Sequence, residues 1–211
     1  MFTGIVQAYV EVSEVIRKQD LTTFTLCFPE SSLKGLKQGA SVAIDGVCFT
    51  VVNIEGKHVF FDAMKETLQR TTIGIIEKGK HLNIERSFKI GDEVGGHIVS
   101  GHVHSMAEIV DVNTSIANNH ILTFKVPNSL VKYIFPKGFV ALNGASLTIV
   151  DVDKKNDTFS VYLIPETLQR TTFGFKEKGD FVNIEIDSQT QAIVDTVERV
   201  LAEKNIVVKE D

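Results

Sequence analysis

Tryptophan is absent from this 211-residue chain, and tyrosine occurs three times against 14 phenylalanines. Cysteine occurs twice, as Cys27 and Cys48. Two are too few for a disulfide framework, so both are expected as free thiols in a reducing, cytoplasmic compartment. Basic residues do not exceed acidic ones: 22 Lys and Arg against 27 Asp and Glu give a net charge of −5. That argues against nucleic-acid or anionic-membrane binding, since both need a basic patch. No apolar run approaches the roughly 18–20 residues of a membrane span. The opening MFTGIVQAYVEVSEV lacks the basic start and apolar stretch of a secretory signal. No P-loop, zinc signature or Ser-His-Asp order is present, and GDEVGGH lacks the G-x-G-x-x-G of a dinucleotide site. With 43% apolar residues the chain has enough to bury for a folded, globular state.

What is there is a duplication. ETLQRTT stands at 66–72 and again at 166–172, and TTIGIIEKGKHLNIE (71–85) answers TTFGFKEKGDFVNIE (171–185). VAIDGVCFTV (42–51) answers VALNGASLTI (140–149), and Gly4 and Val6 match Gly101 and Val103. The offset drifts from 97 to 100, so the units differ by a few loop residues. They run from 1 to 97 and from 98 to 187, followed by a segment, 188–211, without a counterpart. A repeat this long is a domain duplication, not a solenoid.

Each unit reads as β. Short segments rich in Val, Ile, Phe and Thr are bounded by turns at Asp45-Gly46, Glu55-Gly56 and Asn143-Gly144. Asp-Gly and Asn-Gly are hairpin signals because both residues tolerate positive φ. Evenly spaced short strands in about 90 residues predict a small closed barrel per unit. Short helical turns are expected at 31–36, at 66–71 and at the matching places. Asp187 or Ser188 is placed to N-cap a terminal helix with Ile193, Val194, Val197, Val200 and Leu201 on one stripe. That helix either packs on its own barrel or joins subunits.

Two like barrels should bind two like ligands. Positions where the repeats agree, Thr50/Thr148 and Glu66-Thr67/Glu166-Thr167 among them, would serve binding. Those that differ, such as Cys48/Ser146, Ile5/His102, Gln38/Lys137 and Lys65/Pro165, would tell the ligands apart. Cys48 opens a strand after a turn, and a position alternating between Cys and Ser suits a polar ligand better than a core. Cys27, in mid-strand, reads as a buried hydrophobe. His102 and His104 would share a face if that segment is a strand, but no further ligands of metal-site spacing accompany them. No metal site is assigned. The Gly-rich setting of His97 and His102 suggests that both face a ligand.

These motifs, MFTGIV, GASVAIDGVCFTV, FDAMKETLQRTT, GGHIVSGHV, KGFVALNGASLTIV, LIPETLQRTT and VNIEIDSQTQAIVDTVERVL, resemble the alpha-type riboflavin synthases over essentially the full length, the proteobacterial members in particular. The resemblance implies an all-β fold of tandem duplicated Greek-key β-barrels with a C-terminal trimerisation helix. It implies dismutation of two 6,7-dimethyl-8-ribityllumazine molecules, bound two per site, into riboflavin and 5-amino-6-(D-ribitylamino)uracil by a four-carbon transfer. No metal or redox cofactor is implied. The family is a homotrimer whose site forms between the first barrel of one subunit and the second of a neighbour, and association with lumazine synthase is left open. Carried over residue by residue, binding positions of the first barrel fall on Gly4, Ile5, Val6, Cys48, Phe49, Thr50, Asp62, Ala63, Met64, Lys65, Glu66 and Thr67. Those of the second fall on Gly101, His102, Val103, Lys137, Ser146, Leu147, Thr148, Tyr162, Leu163, Ile164, Pro165, Glu166 and Thr167. Catalytic candidates are Cys48, His102, Ser146, His97 and Ser41. Among them His102 would assist loss of a proton from the donor's C7 methyl, and Ser146, Cys48 or water would add to the acceptor at C7. Asn143 stands where relatives can carry Asp, so no acid–base role falls there. Phe2 is expected in a terminus folded against the pocket. The competing readings are a non-catalytic lumazine- or flavin-binding antenna protein, a flavin reductase domain, for which a nucleotide-binding partner domain is missing, and a structural trimer.

Overall fold

The alternation of apolar and polar residues becomes twelve strands in the computed structural model, which describes residues 1–114 and 120–204. The first barrel comprises β1 (Ala8–Lys18), β2 (Leu21–Cys27), β3 (Ser41–Ile44), β4 (Val47–Glu55), β5 (His58–Met64) and β6 (His81–Arg86). The second repeats it with β7 (Ser105–Asn113), β8 (His120–Lys125), β9 (Phe139–Leu142), β10 (Ala145–Asp153), β11 (Thr158–Leu163) and β12 (Phe181–Ile186). All pairings are antiparallel. The first closes in the order β1-β2-β5-β4-β3-β6, and the second closes in the equivalent order. Closure leaves no edge strand to aggregate. The expected hairpins form: Asp45-Gly46 and Asn143-Gly144 have φ of 42° and 80°, and 43° and 80°, the positive pair that a tight two-residue hairpin needs.

Phenylalanine fills both cores. Phe24, Phe28, Phe49 and Phe61 cluster in the first barrel, Phe24 and Phe61 stacking at 5.6 Å. Phe124 and Phe159 stack at 5.5 Å in the second. A barrel this small admits a flat six-membered ring, and a buried Phe contributes about 2–3 kcal/mol.

Short helices complete each unit: α1 (Glu30–Leu33), α2 (Lys65–Arg70), α3 (Asn128–Val131) and α4 (Pro165–Arg170). The terminal helix α5 (Ser188–Glu203) is N-capped by Asp187, whose carboxylate accepts from the Thr190 amide at 2.9 Å. Its stripe divides: Val194 packs on the second barrel's core, while Ile193, Val197 and Val200 are exposed. Lys132 and Tyr133 of the α3 region bond Asp195, and Lys132 also pairs with Glu198, which holds the helix to its own barrel. The expected tail beyond residue 204 lies outside the described residues. No described helix is long and apolar enough to cross a membrane.

The units meet around a pseudo-twofold axis. Phe2 and Val99, equivalent at an offset of 97, pair with each other through amide–carbonyl bonds of 2.8 and 2.9 Å. Phe2 is fully buried against Val99, Ala43, Ala141 and Cys48. Gly46 and Gly144 touch across the axis: a Cβ on Gly46 would stand 2.7 Å from the Gly144 nitrogen. Behind each hairpin lies a buried polar pair. Asp45 accepts the Asn83 amide at 2.7 Å, and Asn143 accepts the Asn183 amide at 2.7 Å. The Nδ2 of Asn143 finds no partner among the described residues. Burial pushes the Asp45 carboxyl up to about 7, against the pull of the Asn83 amide and Lys176.

A carboxyl that binds its proton more tightly when folded costs stability as pH rises. The cost is absent below about pH 3.8 and complete above about 7. Asp45→Asn is therefore expected to stabilise at pH 8 by about 1–3 kcal/mol and not at pH 4, as read from denaturant unfolding at both. The gain stays below the roughly 4 kcal/mol of the full shift, because an amide there leaves a buried N–H unpaired.

Candidate functional site

The arms that precede each barrel cross to the other one. Residues 3–4 are anchored at home, where the buried Glu85 carboxylate on β6 accepts from the Thr3 amide (2.6 Å), the Thr3 hydroxyl (2.8 Å) and the Gly4 amide (3.0 Å). Glu185 on β12 holds Ser100 and Gly101 in the same way, at 2.7, 2.6 and 3.0 Å. Burial pushes the Glu85 carboxyl up, opposed by the three donors. Past these clamps the chain turns outward. The Ser146 amide donates to the Gly4 carbonyl at 2.8 Å, and the Cys48 amide to the Gly101 carbonyl at 2.9 Å. Val6 enters the second barrel's core, and Val103 packs on the first.

Two equivalent pockets result. One, of about 260 Å³, is lined by Val47, Cys48, Glu66, Thr67, Arg70 and Thr71 of the first barrel and Gly101, His102 and Val103 of the second unit. The other, of about 190 Å³, is lined by Ala145, Ser146, Leu147, Glu166, Thr167, Arg170 and Thr171 with Gly4, Ile5 and Val6. This corrects the grouping by repeat: Gly4, Ile5 and Val6 serve the second barrel's pocket, and Gly101, His102 and Val103 the first's. A larger cleft, about 290 Å³ between Ile75, His81, Lys176 and Phe181, holds none of the predicted residues.

The ETLQRTT motif builds one wall of each pocket. Thr71 and Thr171 accept from the amides of Ile73 and Phe173 and donate to the carbonyls of Thr67 and Thr167, tying helix to following turn. Glu66 pairs with Arg70 and Glu166 with Arg170 along the helix. Farther along the same sheets, further residues lie outside both pocket linings. Thr50 is exposed two residues after Cys48, with Ser41 opposite it across the ladder, and Thr148 follows Ser146 with Phe139 opposite.

The pockets differ where the repeats differ. His97 Nδ1 and Ser146 Oγ are hydrogen-bonded at 2.7 Å, and the imidazole stacks on Phe139 at 5.3 Å. Burial holds His97 below its usual range, with Asp187 opposing, which keeps the ring neutral near pH 7. Among the described residues the Cys48 pocket has no such pair; its histidine is the exposed His102. His102 and His104 do not lie on a strand, since β7 begins at Ser105. His104 is engaged elsewhere, with Gln191 and the Ile186 amide. Cys27 is half-buried.

Other predicted residues border the pockets or point away. Met64 and Ile164 are exposed beside them, preceding the helices that carry Glu66 and Glu166. Asp62 accepts the Thr23 hydroxyl at 2.7 Å, Lys65 pairs with Asp20, Pro165 opens α4, and Tyr162 donates to Asp151. Phe49, Ala63 and Leu163 turn their side chains into the barrel cores, leaving only backbone for a ligand. Lys137 is exposed in the loop before β9 with φ of 69° and lines neither pocket. Sequence reasoning passed over Glu85, Glu185, Arg70 and Arg170. All lie in stretches identical in both units, ETLQRTT and NIE, and a carboxylate on a strand buried on both sides was the available signal.

The fit of each arm is tight. A Cβ on Gly4 (φ 75°) would stand 2.5 Å from Ser146 Cβ, whereas one on Gly35 (φ 71°) meets nothing within 4 Å. Gly4→Ala and Gly35→Ala carry the same backbone strain, about 1–2 kcal/mol. Gly4→Ala is expected to lower Tm by at least about 4 °C more than Gly35→Ala in thermal unfolding.

Comparison with known proteins places this arrangement. The lumazine binding domain family matches residues 3–87 and 100–187. Riboflavin synthase of Escherichia coli (strain K12) is 51% identical over 203 residues, covering 96% of this chain and 94% of that one. The crystal structure of LumP complexed with riboflavin superposes with a TM-score of 0.81 at 26% identity, over 89% of this chain and 100% of that one. The crystal structure of LumP complexed with 6,7-dimethyl-8-(1′-D-ribityl) lumazine gives 0.80 at 25%, with the same coverage.

Proposed function

The chain belongs to the riboflavin synthase family, and we propose that each of its two pockets binds one 6,7-dimethyl-8-ribityllumazine. The enzyme is a transferase acting by lumazine dismutation: one molecule gives up a four-carbon unit to the other, yielding riboflavin and 5-amino-6-(D-ribitylamino)uracil. The observation that carries the binding proposal is the pair of equivalent pockets, each with a Gly-containing arm from one unit and a Glu-Thr helix start from the other. Backbone amides and the hydroxyls of Thr50, Thr67, Thr148 and Thr167 suit a pyrimidinedione edge and a ribityl chain.

Three services are needed. A base removes a proton from the donor's C7 methyl, and His102, at the mouth of the Cys48 pocket, is available for it. A nucleophile adds to the acceptor at C7. Ser146 suits this role, since a neutral His97 at 2.7 Å can take its proton, with Cys48 or water as the other candidates. The third service, holding two rings face to face, is the largest, on the order of 7–11 kcal/mol.

Completion of each site by another copy, as a homotrimer, is supported by apolar side chains left exposed on α5 (Ile193, Val197, Val200) and beside the pockets (Met64, Ile164). Cytoplasmic location and association with lumazine synthase belong to the same reading and rest on the family resemblance alone.

The likeness to LumP favours one other reading, a non-catalytic binding protein. Incubation with 6,7-dimethyl-8-ribityllumazine separates the two: riboflavin absorbance is expected to rise, and bound but unconverted lumazine would establish the rival. Because positioning dominates, Cys48→Ser and His102→Gln are each expected to keep measurable turnover, with losses no larger than the roughly 10²–10⁴-fold of acid–base catalysis. Abolished turnover with lumazine binding intact would overturn that ranking.

A further inference from the structure

Asn83 and Asn183 are equivalent, sit in the middle of β6 and β12, and are each 1% exposed. Their backbones pair with the hairpin of their own barrel. Their side chains go across the axis. Asn183 Nδ2 donates to the Asp45 carbonyl at 2.8 Å, and its Oδ1 accepts the Thr72 amide at 2.8 Å. Asn83 Nδ2 donates to the Asn143 carbonyl at 3.0 Å, and its Oδ1 accepts the Thr172 amide at 2.8 Å.

Each asparagine thus joins the two segments that frame the opposite pocket. Asp45 stands three residues before Cys48, in the turn that launches β4. Thr72 follows Thr71 at the end of the helix that carries Glu66 and Thr67. Asn143 and Thr172 bear the same relation to Ser146 and to Glu166 and Thr167. A short side chain with one donor and one acceptor is required to reach both partners. Aspartate loses the donor, alanine both, and glutamine extends the amide by a methylene.

We propose that Asn83 and Asn183 are positioning residues acting across the barrel seam, Asn183 setting the Cys48 pocket and Asn83 the Ser146 pocket. The turn and the helix of one pocket have no other shared side-chain link of this kind among the described hydrogen bonds, so releasing the asparagine lets them move apart. A displacement of about 1 Å can cost on the order of 10²-fold in rate. The catalytic consequence rests on the riboflavin synthase reading; the geometric one does not.

The test is a crossed thiol measurement on the full chain. In a Cys27→Ala background, Cys48 is the single cysteine, and its reaction with 4,4′-dithiodipyridine reports the first pocket. In a Cys27→Ala, Cys48→Ser, Ser146→Cys background, the same reagent reports the second. Asn183→Ala is expected to change the Cys48 rate by more than about threefold and to leave the thiol at 146 within about twofold; Asn83→Ala does the reverse. In turnover of 6,7-dimethyl-8-ribityllumazine, each asparagine variant is expected to lose about 10- to 100-fold in kcat/KM, since both pockets are used. Where an alanine variant fails to fold, Asn83→Asp or Asn183→Asp, which keeps the acceptor and loses the donor, is read in the same crossed way. Equal effects of either asparagine on both thiols, or none on either, would overturn the proposal. A crossed thiol pattern in a protein that makes no riboflavin would sink the enzymatic reading and leave this one standing.

Discussion

The pairing of Phe2 with Val99 sets the terms for everything around it. These two residues occupy the same place in two repeats, so their mutual bond fixes a pseudo-twofold axis between the barrels. Once they pair, the chain leaving each must run onto the opposite barrel. Gly4 then meets Ser146 and Gly101 meets Cys48, at distances where a Cβ would collide with the opposite side chain. Glu85 and Glu185 hold the arms in that path. Their cost as buried carboxylates is offset by three donors each, two of which are backbone amides that would otherwise lie buried without partners. Neither barrel makes its own pocket, because each lacks the wall that the other's arm provides.

On this symmetric frame the chemistry is asymmetric. In the repeat, Cys48 is matched by Ser146, His102 by Ile5, and Asp45 by Asn143. His97 lies in the linker, residues 88–97, that leads into the second unit. The linker brings it to Ser146, and the second pocket gains a hydroxyl–imidazole pair that the first lacks among the described residues. On the proposed reading two identical molecules take different parts, and one linker and a few substitutions would supply the difference, with both barrels intact.

The barrels, the hairpin turns and the duplication were legible in the sequence because they are local. Asp45-Gly46 and Asn143-Gly144 announce positive φ, and alternation announces strands. The crossing of the arms was not legible. An alignment of repeats places Gly4 with the first unit and Gly101 with the second, and nothing in a linear match says which barrel a short segment will touch. Phe49, Ala63 and Leu163 illustrate a second limit. Carrying a site over by position includes every residue in a stretch, whereas the pleat sends alternate side chains into the core. The NIE stretch marks a third. Asn83 and Glu85 alternate with Leu82 and Ile84 as though facing solvent, yet their face is the seam between barrels, which only the tertiary arrangement creates.

The Asp45 and Asn143 pair shows what a duplicated chain permits. Two identical subunits meeting on a true twofold axis would present either two carboxyls or two amides at this seam. Two carboxyls would place two buried, desolvated acids near one axis, and two amides would leave two buried N–H groups in need of partners. The fused chain holds one of each: Asn143 leaves a single Nδ2 without a partner among the described residues, and Asp45 bears a single carboxyl pushed up to about 7. Each defect costs on the order of 1–4 kcal/mol, and neither is doubled by symmetry. Covalent linkage of the barrels therefore frees the seam, as well as the pockets, from having to be the same on both sides.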